Sequence, residues 1–323
     1  MADQDTSRAS YPANPGPSLR KPSWLKKKIE YTEENHEVKA IIHALGLHTV
    51  CRSARCPNLS ECFQNKRATF MILGNSCTRG CAFCAVDKAG SGARLPLDAE
   101  EPSRILEAVR KLGLAYVVIT SVTRDDLADG GAGQFARVIH ELRGPDARGR
   151  ETGAREDRGQ RSPLKIEVLT PDFLGREESI RVVAEAGPDV YNHNIETVPR
   201  LYPEVRPQAV YRRSLALLGF VKEMYPRIFL KSGLMVGMGE NREEVVGVLS
   251  DLRRAGCDAV TIGQYLRPRR WNHPVREYVL PETFRFYKEE ADRLGFLYAV
   301  CGPYVRSSYM AHEGYEQLNP IRY

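Results

Sequence analysis

The chain has 323 residues, 42% of them hydrophobic and 27% charged, and carries a formal charge of +6. No apolar run approaches the ~20 residues that span a bilayer, and no nucleic-acid motif accompanies the modest basic excess, so neither a membrane nor a nucleic acid is an expected partner. The length suits one large α/β unit, since ~250 residues complete an α/β barrel.

Residues 1–22 are rich in Pro, Ser, Ala and Asn without periodicity and read as a disordered tail. The first residues are polar, include Asp3 and Asp5, and lack the apolar core of a secretory signal. The expected location is therefore the cytoplasm, where thiols stay reduced. Residues 23–62 read as an extension organised by Cys51, Cys56 and Cys62, with Val38, Ile41, Ile42 and Leu45 suited to one helical face. Arg20, Lys21, Lys26, Lys27 and Lys28 surround Trp24 in the most concentrated basic patch, either a solvated face or a docking point for an acidic partner.

From residue 63 to 297 strand-like and helix-like segments alternate. Phe70–Leu73, Tyr116–Thr120, Lys165–Leu169, Val190–Asn194, Phe229–Val236 and Ala259–Ile262 are short apolar or β-branched runs suited to buried parallel strands. Between them, Ile105, Leu106, Val109 and Leu112 share a helical face, with Asp98 and Glu101 as a possible capping box and Gly113 as a stop. Val245, Val246, Leu249 and Leu252 repeat the pattern before Gly256. Six β-α units predict a curved parallel sheet with helices outside it; length alone also allows a doubly wound sheet. Residues 144–162 are charged and glycine-rich and read as a flexible insertion without a catalytic role. Residues 298–323 form a C-terminal tail containing Arg306-Ser307-Ser308-Tyr309.

Six of the eight cysteines form two triplets, Cys51, Cys56, Cys62 (C-x4-C-x5-C) and Cys77, Cys81, Cys84 (C-x3-C-x2-C). Thiolates select zinc, copper(I) or iron-sulfur clusters, and structural zinc normally closes with four ligands that neither triplet supplies. Three sulfurs from one loop leave one iron of a cubane open to substrate or cofactor. Disulfides and a zinc knuckle are the competing readings. Cys257 and Cys301 lie beside apolar runs and read as small core residues.

The segment from Met71 to Cys84 resembles the cluster loop of the radical S-adenosylmethionine superfamily. The upstream triplet together with Arg306-Ser307-Ser308-Tyr309 is similar to the lipoyl synthase family within it. The resemblance implies an α/β fold, a partial (β/α)6 barrel with N- and C-terminal extensions. It implies two 4Fe-4S clusters, one on Cys77, Cys81 and Cys84 with S-adenosylmethionine on its open iron, the other an auxiliary cluster on Cys51, Cys56, Cys62 and Ser308, with Arg306 positioning the tail.

Tyr191-Asn-His-Asn-Ile-Glu-Thr197 resembles a segment that contacts the ribose of S-adenosylmethionine in the biotin synthase group, which points to Asn194 and Glu196 for the hydroxyls. His193 reads as a structural histidine. Gly233, Met235 and Gly237 resemble the adenine-side motif of the superfamily, without the spacing of a dinucleotide fingerprint. The segment from Ser121 to Gly131 is expected near the methionine end or the substrate, with its roles open.

No side chain is assigned as acid, base or nucleophile, because the clusters and S-adenosylmethionine carry the chemistry. The implied reaction is insertion of two sulfur atoms, at C6 and C8 of a protein-bound octanoyl-lysine. Implied partners are octanoylated lipoyl domains of 2-oxoacid dehydrogenases and the glycine cleavage H protein, a ferredoxin or flavodoxin as electron donor, and an iron-sulfur carrier. The alternatives are a biotin synthase-like enzyme, a methylthiotransferase, or a non-catalytic iron-sulfur or zinc protein.

Overall fold

A computed structural model describes residues 19–28, 32–88, 96–144, 164–309 and 311–318. Most of the tail and insertion expected to be disordered lies outside these residues. Among the described residues a 3-10 turn (Ser23–Leu25) is followed by α1 (Glu33–Ala44), α2 (Val50–Ser53) and α3 (Leu59–Gln64), where Val38 and Ile42 of α1 are buried as the periodicity predicts. Next come β1 (Thr69–Ile72) and a small parallel pair, β2 (Ser76–Cys77) with β3 (Asp87–Lys88). Alternation then runs through α4 (Glu101–Leu112), β4 (Tyr116–Ser121), α5 (Ala132–Arg143), β5 (Lys165–Leu169), α6 (Glu177–Glu185) and β6 (Val190–Asn192). It continues with α7 (Tyr202–Val205), α8 (Tyr211–Met224), β7 (Phe229–Val236), α9 (Arg242–Arg254), β8 (Ala259–Gln264), α10 (Pro281–Arg293), β9 (Tyr298–Gly302) and α11 (Ala311–Leu318).

The main sheet has seven parallel strands in the order β1-β4-β5-β6-β7-β8-β9, one more than the six read from the sequence. The extra strand is β9, whose Tyr298–Gly302 pairs with β8 from Ala259 to Gly263. Its five residues include two glycine-small positions and only partial burial, so the segment lacks the continuous apolar signature of a central parallel strand. β1 and β9 are the two edges of the sheet, so the barrel is not closed by strand pairing and keeps an open seam.

Two helical details depart from the sequence reading. Asp98 and Glu101 do not form a capping box: Glu101 is buried and accepts from the Leu73 amide at 3.2 Å and Gln134 Nε2 at 2.8 Å. A capping box sits instead at α9, where Asn241 and Glu244 exchange bonds with each other's backbone. On that helix Val248 is buried in place of Val246.

The tail after β9 turns into the barrel. A Cβ on Gly263 of β8 would run into the Val305 carbonyl, and one on Gly233 of β7 would lie 2.9 Å from Ser307 Oγ, so two bare strand positions admit the tail. α11 then packs Tyr315 against Val190, Phe229 and Ala259, the first residues of three strands, and closes that end of the barrel. Above it Glu167 is held by Lys231 Nζ at 3.0 Å, Tyr116 Oη at 2.6 Å and Asn192 Nδ2 at 2.8 Å, a buried polar knot within the barrel.

Candidate functional site

The side chains expected to do chemistry gather at the carboxyl ends of the strands, where parallel α/β sheets place their sites. Between β2 and β3 the chain loops out with Cys77, Cys81 and Cys84, and the pairing of Cys77 with Lys88 closes the loop's base. The Thr123 amide points at Cys77 Sγ from 3.3 Å, and the Arg79 amide from 3.5 Å. The loop is pinned from several sides: Ala82 N to the Val205 carbonyl at 2.8 Å, Gly80 N to Gln208 Oε1 at 2.9 Å, and Asn272 Nδ2 to the Ala82 and Cys84 carbonyls at 2.9 and 3.0 Å.

Arg79 carries the strongest of these ties. Its guanidinium is buried and donates to Asp125 at 2.6 and 2.8 Å and to Asp172 at 2.6 Å, while Arg213 donates to the other Asp172 oxygen at 2.8 Å. Burial pushes the Asp172 carboxyl up, but Arg79 outweighs it and holds the group well below the usual carboxylate range. The segment from Ser121 to Gly131 thus gains a role: Thr123 and Asp125 anchor the cysteine loop, while Ser121 and Val122 line the adjoining cavity. Asp172, Gln208 and Asn272 were not anticipated, because isolated polar residues in loops carry no spacing signal.

A cavity of about 520 Å³ opens above the strands. Its lining includes Cys77, Cys81, Cys84, Asn194, Glu196, Gly233 and Met235, and also Cys51, Cys56, Arg306, Ser307 and Ser308. A second cavity of about 550 Å³ is lined by Cys51, Cys56, Cys62 and Ser308 together. Cys51, Cys56, Arg306 and Ser308 belong to both, so the two triplets face connected space. Gly237 lies outside the first cavity; its backbone, at φ +99°, packs against Gln264 and Glu277, and Glu240 holds the turn. That packing accounts for a glycine at this position.

The tail reaches the strand-end motif directly. Asn194 Nδ2 donates to Glu196 Oε1 at 3.0 Å and its Oδ1 accepts from Ser307 at 2.8 Å. Glu196 adopts φ +67°, a strained value for a non-glycine residue, and burial raises its carboxyl. Arg206 Nη1 donates to the Asn194 and Ile195 carbonyls at 3.2 and 2.9 Å, while its Nε is buried with no partner among the described residues. His193 is structural as expected: Nδ1–H donates to the Thr170 carbonyl at 2.8 Å and Nε2 accepts from Ser214 at 2.9 Å. Burial drives its pKa down to about 4.

All eight cysteines are free. Burial pushes Cys51 and Cys84 up to about 11 and Cys62 up to about 12, so these thiols become thiolates only when a metal replaces the proton. Among the described residues no group of three His, Cys, Asp or Glu side chains is arranged to hold a single metal ion. Sulfurs on one zinc at ~2.3 Å lie within about 4 Å of each other, whereas those of a cubane each bind a different iron and stand wider. The six thiols of the two triplets face the two connected cavities. Cys257 is fully buried and Cys301 packs against the core, as small core residues do.

Comparison with known proteins decides the family. The model of the radical SAM superfamily matches residues 71–252, and that of the N-terminal domain of lipoyl synthase matches residues 2–56. The lipoyl synthase of Caldanaerobacter subterraneus subsp. tengcongensis is 53% identical over 297 residues, covering 92% of this chain and 98% of that protein. The chain belongs to the lipoyl synthase family.

A second lipoyl synthase, from Caldicellulosiruptor bescii, is 50% identical over 94% of this chain and 98% of its own. The crystal structure of Streptococcus suis SuiB bound to S-adenosylmethionine shares the fold, with a TM-score of 0.53 and 13% identity over 76% of this chain and 54% of that one. Membership of the radical SAM superfamily implies S-adenosylmethionine and one 4Fe-4S cluster for a lipoyl synthase of this kind. Among the described residues no helix is long and apolar enough to cross a membrane.

Proposed function

We propose that this chain converts a protein-bound octanoyl-lysine to lipoyl-lysine by inserting sulfur at C6 and C8. The observation that carries the reading is the sharing of Cys51, Cys56, Arg306 and Ser308 by both cavities, which sets a second thiol triplet against the space beside Cys77, Cys81 and Cys84. Saturated carbon offers no acid or base a handle, so the bound cluster and S-adenosylmethionine would supply the radical that removes hydrogen, and a second cluster the sulfur.

The protein's part is to hold and exclude. Cys77, Cys81 and Cys84 hold one cluster, and Cys51, Cys56, Cys62 and Ser308 the other. Ser308 is preferred over Ser307 because it lines both cavities while Ser307 is bonded to Asn194. A serine oxygen is a harder donor than thiolate and a weaker one for iron, which suits a cluster that gives up sulfur. Asn194 and Glu196 bind the ribose of S-adenosylmethionine, with Met235 and Gly233 beside it.

The substrates are octanoylated carriers, namely lipoyl domains of 2-oxoacid dehydrogenases and the glycine cleavage H protein. A ferredoxin or flavodoxin donates electrons and an iron-sulfur carrier restores the second cluster, in the cytoplasm. The residues fall into a tail (1–22), a cluster-bearing extension (23–62), the barrel (63–297) and a C-terminal segment (298–323) that contributes β9 and Ser308.

The test is anaerobic incubation with an octanoyl-lysine peptide, S-adenosylmethionine and dithionite, followed by mass spectrometry, with Cys51→Ala in parallel. Lipoyl product from the wild type alone supports both the reaction and the sulfur source. If 5′-deoxyadenosine forms while the wild type leaves the peptide unchanged, the substrate assignment fails.

A further inference from the structure

Both tryptophans of the chain are exposed, Trp271 at 61% and Trp24 at 38%, although an indole at the surface leaves a large apolar area in water. Trp271 ends the run Arg267-Pro268-Arg269-Arg270-Trp271 that follows β8. This run leaves the sheet at the same carboxyl-end side as the cysteine loop, and Arg267 and Pro268 line the first cavity.

The Arg269 guanidinium stacks over the Trp271 ring at 5.3 Å, Arg267 donates to the Arg270 carbonyl, and the neighbouring Asn272 is tied to Ala82 and Cys84. The exposed indole therefore stands on a fixed base beside the cluster loop. Lys21, Arg55 and Lys88, all exposed, line the same cavity. Tyr278 donates to the Leu19 carbonyl at 3.5 Å, which brings the beginning of the described chain against this loop. Among the described residues Lys21, Arg55, Lys88, Arg267 and Arg270 make no ion pair; Arg269 meets Asp87 at 3.5 Å. Four cations without carboxylate partners, Lys21, Arg55, Lys88 and Arg267, thus line the cavity, and Arg270 and the Trp271 indole stand exposed on the same run as Arg267.

We propose that this rim, Arg267–Trp271 with Lys21, Arg55 and Lys88, is the docking surface for a carrier domain whose acidic face surrounds the acylated lysine. The proposal rests on the reading of the cavity as an octanoyl-lysine site. A lysyl arm bearing an eight-carbon chain is long and thin, so its carrier must seat at the mouth while the chain passes inside. Arginine and tryptophan are the residues that most often dominate protein interfaces, and unpaired cations attract an acidic face and speed encounter. The sequence-level candidate, the patch from Arg20 to Lys28, contributes Lys21 to this rim but not its centre.

The experiment compares wild type with Arg270→Glu and Trp271→Ser, neither residue lining the cavity. Binding of a fluorescently labelled, octanoylated lipoyl domain of net negative charge is followed by anisotropy, and turnover is measured with that domain and with a short octanoyl-lysine peptide. For each variant the expected result is at least a tenfold rise in Kd and KM for the domain, KM for the peptide unchanged, and for the wild type a Kd that rises with salt. A Kd for the domain unaltered by both substitutions, or no binding by the wild type, overturns the docking surface. Wild-type binding without turnover of either substrate overturns the functional reading and leaves the binding comparison to judge the rim.

Discussion

The Ser307 hydroxyl donates to Asn194 Oδ1 at 2.8 Å, although the two residues are 113 positions apart. That bond turns the amide so that Nδ2 faces Glu196 and fixes its carboxyl, the group proposed to meet the ribose of S-adenosylmethionine. Ser307→Ala removes one neutral hydrogen bond, worth about 1 kcal/mol, and should weaken S-adenosylmethionine binding about fivefold by equilibrium dialysis. Ser308→Ala should leave that affinity unchanged and speed chelator removal of iron. Equal effects of the two substitutions on both readouts would refute this division of roles.

Gly263 stands where a Cβ would collide with the Val305 carbonyl, which is backbone and cannot rotate away. Gly263→Ala should therefore push residues 305–308 off the strands and separate Ser308 from the first triplet. The expected signature is faster proteolysis of the C-terminal segment and iron content falling toward that of one cluster, with cleavage of S-adenosylmethionine retained. Native proteolysis and iron content would contradict this account of the tail.

Asp172 is buried between Arg79 and Arg213. Replacing one member of a buried ion pair leaves a charge without its partner and costs about 3–5 kcal/mol. Asp172→Asn should lower the urea midpoint accordingly and loosen the cysteine loop, seen as incomplete cluster loading on Cys77, Cys81 and Cys84. An unchanged midpoint would mean that Asp125 alone satisfies Arg79.

His193 is neutral in the folded protein, with a pKa near 4 against an ordinary value near 6.5. When pH falls below 6.5 the unfolded chain takes up a proton that the folded chain refuses. Its contribution to stability is thus fully present above about pH 6.5 and is lost toward pH 4, by up to about 1.4 kcal/mol per pH unit. Urea unfolding of the reconstituted protein at about pH 7 and about pH 5 should show this slope, and His193→Gln should reduce it. Identical slopes in both proteins would assign the effect elsewhere.

Much of this arrangement was legible in the chain. Buried parallel strands write continuous apolar runs, so Lys165–Leu169 and Phe229–Val236 emerged with their observed bounds. The cysteine spacings likewise marked out two triplets, and the fold sets them against connected cavities. β9 was missed because an edge strand with Gly302 and half-buried residues leaves little pattern. Gly233 and Gly237 also have packing roles that no local pattern shows: one admits the tail and the other packs a loop, and a glycine looks the same in sequence in either case. The Arg79 network joins residues 46 and 93 positions apart, beyond the reach of any local signal.

The seam of the barrel is filled from both directions. Asn58 donates to the Tyr304 carbonyl at 2.6 Å, Tyr309 to Glu61 at 2.9 Å, and Arg67 to Glu313 at 3.2 Å, each across some 246 to 248 positions. The cysteine loop draws its ties from residues as far along as Asn272, and the seam contacts lie later still in the chain. The chamber lined by Cys62 and Ser308 cannot close until the segment reaching Glu313 has left the ribosome, so its completion is a late event in the synthesis of each molecule.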